Sequence, residues 1–180
     1  ARGSGHSFGG AVAIRYALTH TERTNGVGLT NSRATFGIER SAGERQAPTP
    51  APTDLRKLPF HPIHAKRFPE DLKARMVEAA DRMAPATIAH VGASSASWSS
   101  RDDLQDLRVP VLLVNGVWEQ AFQANTDAAV ESIPDLRRVD LEGGHSINIE
   151  HPEAFDAAVL AFIGRRKTPL GAEAPIGVRP

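Results

Sequence analysis

Cysteine is missing from all 180 positions, which excludes disulfides, thiolate metal sites and a cysteine nucleophile while leaving the compartment open. An excess of charge of one sign is missing too. Lys plus Arg and Asp plus Glu both number 21, and neither a basic stripe nor an acidic tail stands out, so no nucleic-acid and no membrane partner is expected. No apolar run approaches the roughly 20 residues of a membrane-spanning helix, and the first residues hold no apolar signal segment. The expectation is a cytoplasmic globular protein, with enough chain for a sizeable core.

What the chain does have, at its very start, is Gly5-His6-Ser7-Phe8-Gly9 followed by Gly10 and an Ala/Val/Ile-rich run. This G-x-S-x-G spacing suits a sharp strand-to-helix turn with serine at its apex, where flanking glycines let strand and helix approach closely. Such a turn pushes the Ser7 hydroxyl into a cleft and aims the first amide groups of the helix at the same point. Ser7 is the candidate nucleophile. Glycine and serine are also ordinary turn residues, so the motif carries weight only if partners follow in the order serine, acid, histidine.

The partners are present in that order. Leu136–Leu141 alternates like an edge strand, and the following Glu142-Gly143-Gly144-His145 leads into a helix that runs to about Ile163, with Pro152 in a first turn and Phe155, Val159 and Phe162 on the apolar face. His145 on this glycine-bearing loop is the candidate general base. Val109–Val114 is the clearest buried parallel strand, and the loop after it, Asn115-Gly116-Val117-Trp118-Glu119, offers Glu119 as the acid that would fix the His145 tautomer. Asp127 is the alternative acid, on a helix expected over Asn125–Ser132. Trp118 either shields the Glu119–His145 pair from water or fills the core.

Together these segments resemble the α/β-hydrolase superfamily, in particular its small cap-bearing members such as enol-lactonases, esterases and non-metal haloperoxidases. The resemblance rests on Gly5-His6-Ser7-Phe8-Gly9-Gly10 and on Gly144-His145-Ser146-Ile147-Asn148-Ile149-Glu150-His151-Pro152-Glu153-Ala154-Phe155, and it covers nearly all of residues 5–163. It implies a catalytic triad of Ser7, Glu119 and His145, with Glu119 where most members carry aspartate. It further implies an acyl-enzyme on Ser7 whose oxyanion is held by the Phe8 amide, a carboxylic ester or lactone as substrate, and no cofactor and no metal.

The implied fold class is α/β: the C-terminal half of a doubly wound, mostly parallel sheet with a helical cap insertion. The boundaries expected are 1–32 for the core with the serine turn, 33–53 for a proline-rich linker, 54–100 for the cap, 101–164 for the core with the acid and histidine loops, and 165–180 for a flexible tail. Phe8 to about His20 should be helical and Thr24–Asn31 a strand ending in a polar turn. In the cap, Pro69–Met83 predicts a helix with a Leu72/Met76/Ala79/Met83 stripe, and a second helix is expected from Ala86 to about Gly92.

Phe60, Phe68, Met83, Trp98 and Trp118 are candidates for an apolar substrate pocket above Ser7. His61, His64 and His90 lack metal-ligand spacing and are expected at the surface, and His6 is expected to pack under the turn. Only Ala1-Arg2-Gly3-Ser4 precede the motif, and no apolar strand leads into it. The expectation is therefore that the strand carrying Ser7, its neighbours on one side and a second oxyanion donor are absent, leaving an apolar sheet edge exposed. A chain of this kind would be a poor catalyst alone and would need an oligomer or a second chain to complete it.

Overall fold

The computed structural model of the protein describes residues 1–32, 52–96 and 99–164. The linker expected over 33–53, apart from its last two residues, the tail over 165–180, and Trp98 lie outside the described residues. Four strands, β1 (Arg2–His6), β2 (Gly26–Thr30), β3 (Val111–Gly116) and β4 (Leu136–Leu141), form one sheet in chain order, every neighbouring pair parallel. Helix α1 (Phe8–Thr19) connects β1 to β2, and α4 (Gln120–Ser132) connects β3 to β4. The short α5 (Ile147–Glu150) and the longer α6 (Pro152–Gly164) follow β4, while α2 (Glu70–Asp81) and α3 (Pro85–Ala96) lie between β2 and β3.

Alternation along β3 divides the core into two layers. Val111 and Leu113 join Ile14 and Ala17 of α1, Val27 and Leu29 of β2, and Ala129 of α4 on one face. Leu112 and Val114 meet Ile147, Ala158 and Phe162 on the other. All six residues of β3 are buried, as a strand sandwiched by helices requires. Among the described residues, no helix is long and apolar enough to cross a membrane.

One strand contradicts the sequence reading. Residues 2–6 do form a strand into Ser7, paired in register from Arg2 with Gly26 to His6 with Thr30. Its side chains carry no apolar signal because β1 is the edge of the described sheet and four of its five residues are exposed; backbone pairing alone defines it. The exposed edge is accordingly polar and glycine-rich, not apolar.

Helix α2 opens after Pro69 with Glu70 and Asp71 in its first turn, where carboxylates complement the helix dipole. Its half-buried side is Leu72, Met76, Val77 and Ala80, whereas Ala79 is exposed and Met83 lies beyond the helix end at 43% exposure. His61 also departs from expectation: it is buried, with Nε2 3.4 Å from Asp81 Oδ1. Arg56 clamps the same carboxylate, its Nε donating at 2.9 Å, and these hydrogen bonds hold the Asp81 carboxyl below its usual range. No cluster of three or more metal-ligating side chains occurs among the described residues.

The end of β3 is tied to its neighbours by Asn115, which is fully buried. Its Nδ2 donates to Asp140 Oδ1 at 2.7 Å and to Gln123 Oε1 at 3.0 Å, and its Oδ1 accepts from Gln123 and Thr126. Burial works to raise the Asp140 pKa, but the hydrogen bonds from Arg138 and Asn115 and the Arg138 charge outweigh it, and the net shift is downward. A carboxyl depressed on folding contributes stability above its unfolded pKa of about 3.9 and loses it as pH falls through the lower folded value. Asp140→Asn should therefore lower urea-unfolding stability at pH 7 by up to about 1 kcal/mol, since the group is half exposed, with the difference from the parent fading as pH falls through the depressed folded pKa.

Candidate active site

Ser7 sits between β1 and α1 with φ 51° and ψ −118°, a left-handed backbone that a serine adopts only under constraint. Three hydrogen bonds impose it. The Ser7 amide donates to Thr30 O at 3.0 Å, while Ser7 O accepts from the Gly10 amide at 3.1 Å and from Ser32 Oγ at 2.8 Å. The glycines are not equivalent. A Cβ at Gly5 would overlap the Gly9 carbonyl, and one at Gly10 would overlap the Ser32 hydroxyl, but one at Gly9 would meet nothing within 4 Å. Close approach of strand and helix is thus enforced at Gly5 and Gly10, not at both glycines of the pentapeptide.

Glu119 and His145 are brought together. Glu119 is the residue immediately before α4, and His145 lies on the turn between β4 and α5. His145 Nδ1 is 4.0 Å from Glu119 Oε2, with both side chains about one-third exposed at 33% and 28%. At 4.0 Å the two groups are too far apart for a hydrogen bond, and the contact is an ion pair only with a protonated imidazole. Phe122, in the first turn of α4, places its ring 4.8 Å from the imidazole. The two loops are joined along their backbones: Val117 N donates to Leu141 O at 3.1 Å and Trp118 N to Gly143 O at 2.9 Å. Asp127 instead lies within α4, 2.8 Å from Arg138 Nη1.

His6 corrects the sequence reading as well. It does not pack under the turn; it is exposed, and its Nε2 donates to the His145 carbonyl at 2.8 Å, with the two rings 4.7 Å apart. The residue preceding Ser7 is thereby bonded to the histidine loop.

Two residues that hold this loop were missed by motif reading. Asn31 is fully buried with φ 38°, a conformation that asparagine tolerates. Its Nδ2 donates to Gly144 O at 2.8 Å and His145 O at 2.7 Å, and its Oδ1 accepts from Gly116 N at 2.8 Å. One side chain thus pins the ends of β2 and β3 to the histidine turn. The second is Glu150, whose Oε2 accepts from the Gly144 amide at 2.9 Å. The only sequence signal for Asn31 was a polar residue at a strand end, and Glu150 looked like any acid of a helix turn.

The described candidate pocket residues are exposed or half-buried. Phe60 is 67% exposed and Trp118 50% exposed, while Phe68 is half-buried. Trp118 therefore does not fill the core; its indole stacks under the Arg67 guanidinium, 5.0 Å from ring centroid to Cζ. A cavity of about 390 Å³ lies elsewhere, between β1, β2 and α6, with Gly5, His6, Leu112, Phe155, Val159 and Phe162 among its walls.

Comparisons with known proteins agree with this architecture. The enol-lactonase from Burkholderia xenovorans LB400 superposes with a TM-score of 0.72 at 22% identity, over 90% of this chain and 65% of its own. The esterase EaEST from Exiguobacterium antarcticum gives 0.71 at 20% identity, over 89% of this chain and 65% of its own. A Bacillus subtilis (strain 168) protein with the provisional name 2-succinyl-6-hydroxy-2,4-cyclohexadiene-1-carboxylate synthase is 24% identical over 181 residues, 88% of this chain. The chain spans 64% of that relative's length. Its α/β fold, a parallel sheet with helices on both faces, is that of these structures. Because the model of the alpha/beta hydrolase family matches residues 3–158, the chain belongs to that family.

Proposed function

We propose that this chain carries the nucleophile, acid and base of a serine hydrolase that cleaves a carboxylic ester or lactone of modest size. The observation that carries the reading is the hydrogen bond from His6 to the His145 carbonyl. It fastens the strained serine turn against the histidine loop, while Glu119 stands 4.0 Å from the imidazole Nδ1.

In this reading His145 takes the Ser7 proton as Oγ attacks the substrate carbonyl, and the Phe8 amide at the start of α1 donates to the resulting oxyanion. Collapse breaks the acyl–oxygen bond, and His145 returns the proton to the leaving alkoxide. Water, deprotonated by His145, then attacks the acyl-serine and releases the acid with Ser7 regenerated. Glu119 stabilises the imidazolium through both steps. Phe60, Phe68, Met83 and Trp118 provide the apolar surface for the rest of the substrate.

A second reading, in which another polypeptide completes the site, is favoured by a specific observation. The outer edge of β1 has no partner strand among the described residues, the cavity beside it has an apolar wall, and Leu160 and Ile163 of α6 are 67% and 51% exposed. A strand added at this edge would also support a second oxyanion donor, whose loss costs about 100 to 1,000-fold in rate.

A fluorophosphonate probe tests both. Labelling of Ser7 in the 180-residue chain, read by peptide mass, is expected at a rate well below that of a complete enzyme. Labelling only after a complementing polypeptide or a second copy is added supports the second reading. No label under either condition, in a chain shown to be folded, overturns the proposal.

A further inference from the structure

We propose that Arg67 is a positioning residue that couples the seating of the cap to the geometry of the acid and histidine loops; this rests on the hydrolase reading above. The side chain of Glu150 is only 6% exposed, and a carboxylate so far from water must be paired. Two donors serve it, the Gly144 amide at 2.9 Å and Arg67 Nε at 2.6 Å. Arg67 comes from the segment before α2, is itself half exposed, and lays its guanidinium over Trp118.

One planar group therefore reaches both loops. Through Glu150 it bears on Gly144, the neighbour of His145; through Trp118 it bears on the neighbour of Glu119. The fit is close at this point, because a Cβ on Gly144 would collide with Arg67 Nη2 and approach Glu150. Without the guanidinium, Glu150 keeps a single donor in a buried setting and swings toward water. That weakens its hold on the Gly144 amide, and the His145 backbone follows. When the cap segment lifts, the pair opens, so the relay between Glu119 and His145 is set only with the cap in place.

The test compares Arg67→Met, Arg67→Lys and the double variant Arg67→Met/Glu150→Gln with the parent, by fluorophosphonate labelling of Ser7 and by amide hydrogen exchange. Arg67→Met should slow labelling about tenfold, a misplacement effect, and speed exchange at Gly144 and His145 about tenfold while exchange in β3 stays unchanged. Arg67→Lys, which keeps the charge but not the planar fork, should recover to within about threefold. The double variant should be no slower than Arg67→Met alone, because both changes act through one pair. Faster exchange with unchanged labelling would make the clasp purely structural and overturn the proposal, as would no change in either. If Arg67→Met does not fold, Arg67→Lys against the parent decides by the same two readouts. A parent chain that takes no label under any condition removes the hydrolase reading instead, and exchange alone then judges the clasp: unchanged protection at Gly144 overturns it.

Discussion

Alanine in place of His145 should slow phosphonylation of Ser7 by about 10⁴-fold or more, the scale seen when the base of a serine–histidine pair is removed. The reason is chemical. A serine hydroxyl is a weak nucleophile until its proton is accepted during attack, and His6, its neighbour in the chain, has its Nε2 committed to the His145 carbonyl. Glu119→Gln should cost about 10³ to 10⁴-fold, because an amide at this position offers no charge to the imidazolium and can favour the wrong tautomer. Combining the two should be no worse than His145→Ala alone, since the residues act as a unit. Labelling of either single variant at the parent rate would remove that residue from the relay. Asp127→Asn provides the contrast: because Asp127 is held by Arg138 at 2.8 Å, its removal should leave the labelling rate within about twofold.

Asn31→Leu should destabilise the fold by about 3–8 kcal/mol, read as a fall in the urea midpoint at constant slope. Leucine shares the branched skeleton, though it is bulkier, but strands three backbone groups, Gly116 N, Gly144 O and His145 O, of which His145 O keeps a partner in His6. Each buried group left unsatisfied costs about 1–3 kcal/mol, and a leucine at φ 38° adds about 1–2 kcal/mol of backbone strain. Against a total of about 5–15 kcal/mol for a typical domain, this is a large share. Asn31→Asp tests the assignment further: it keeps the acceptor for Gly116 but loses both donors, and it sets a carboxylate against two carbonyl oxygens. It should be nearly as damaging as leucine despite preserving shape. A midpoint within experimental error of the parent would show that the histidine turn does not depend on this side chain.

The contrast between Ser7 and Asn31 explains what could be read from the chain and what could not. Glu119 and His145 each follow a strand signal and a glycine, and Ser7 sits in a G-x-S-x-G pentapeptide, so their loops and order are legible in the sequence. The unbroken apolar run of β3 and the Phe155/Val159/Phe162 face of α6 are strong local signals, whereas α4 begins at Gln120 and not near Asn125. Asn31, His6, Glu150 and Arg67 act through bonds to residues about 80 to 140 positions away, and no local pattern encodes such a partner. Strand β1 was invisible for a different reason: parallel pairing uses the backbone, and an edge with Arg, Gly, Ser and His outward has no apolar alternation to detect. The place of His61 is likewise not legible locally, since its near neighbour Asp81 lies at the far end of α2.

The composition of that edge has a bearing on colloidal behaviour. An unpaired strand is a template for intermolecular stacking when it is long, flat and rich in branched aliphatics. Here β1, one of the two edge strands of the described sheet, is five residues long, two of them glycine and one arginine, a poor seed for fibril growth. The segment with the composition of a steric zipper, Val111-Leu112-Leu113-Val114, lies instead between β2 and β4 with both edges taken. The β1 edge should therefore not seed fibrils of the folded chain at neutral pH, and β3 becomes available for stacking only when unfolding releases it.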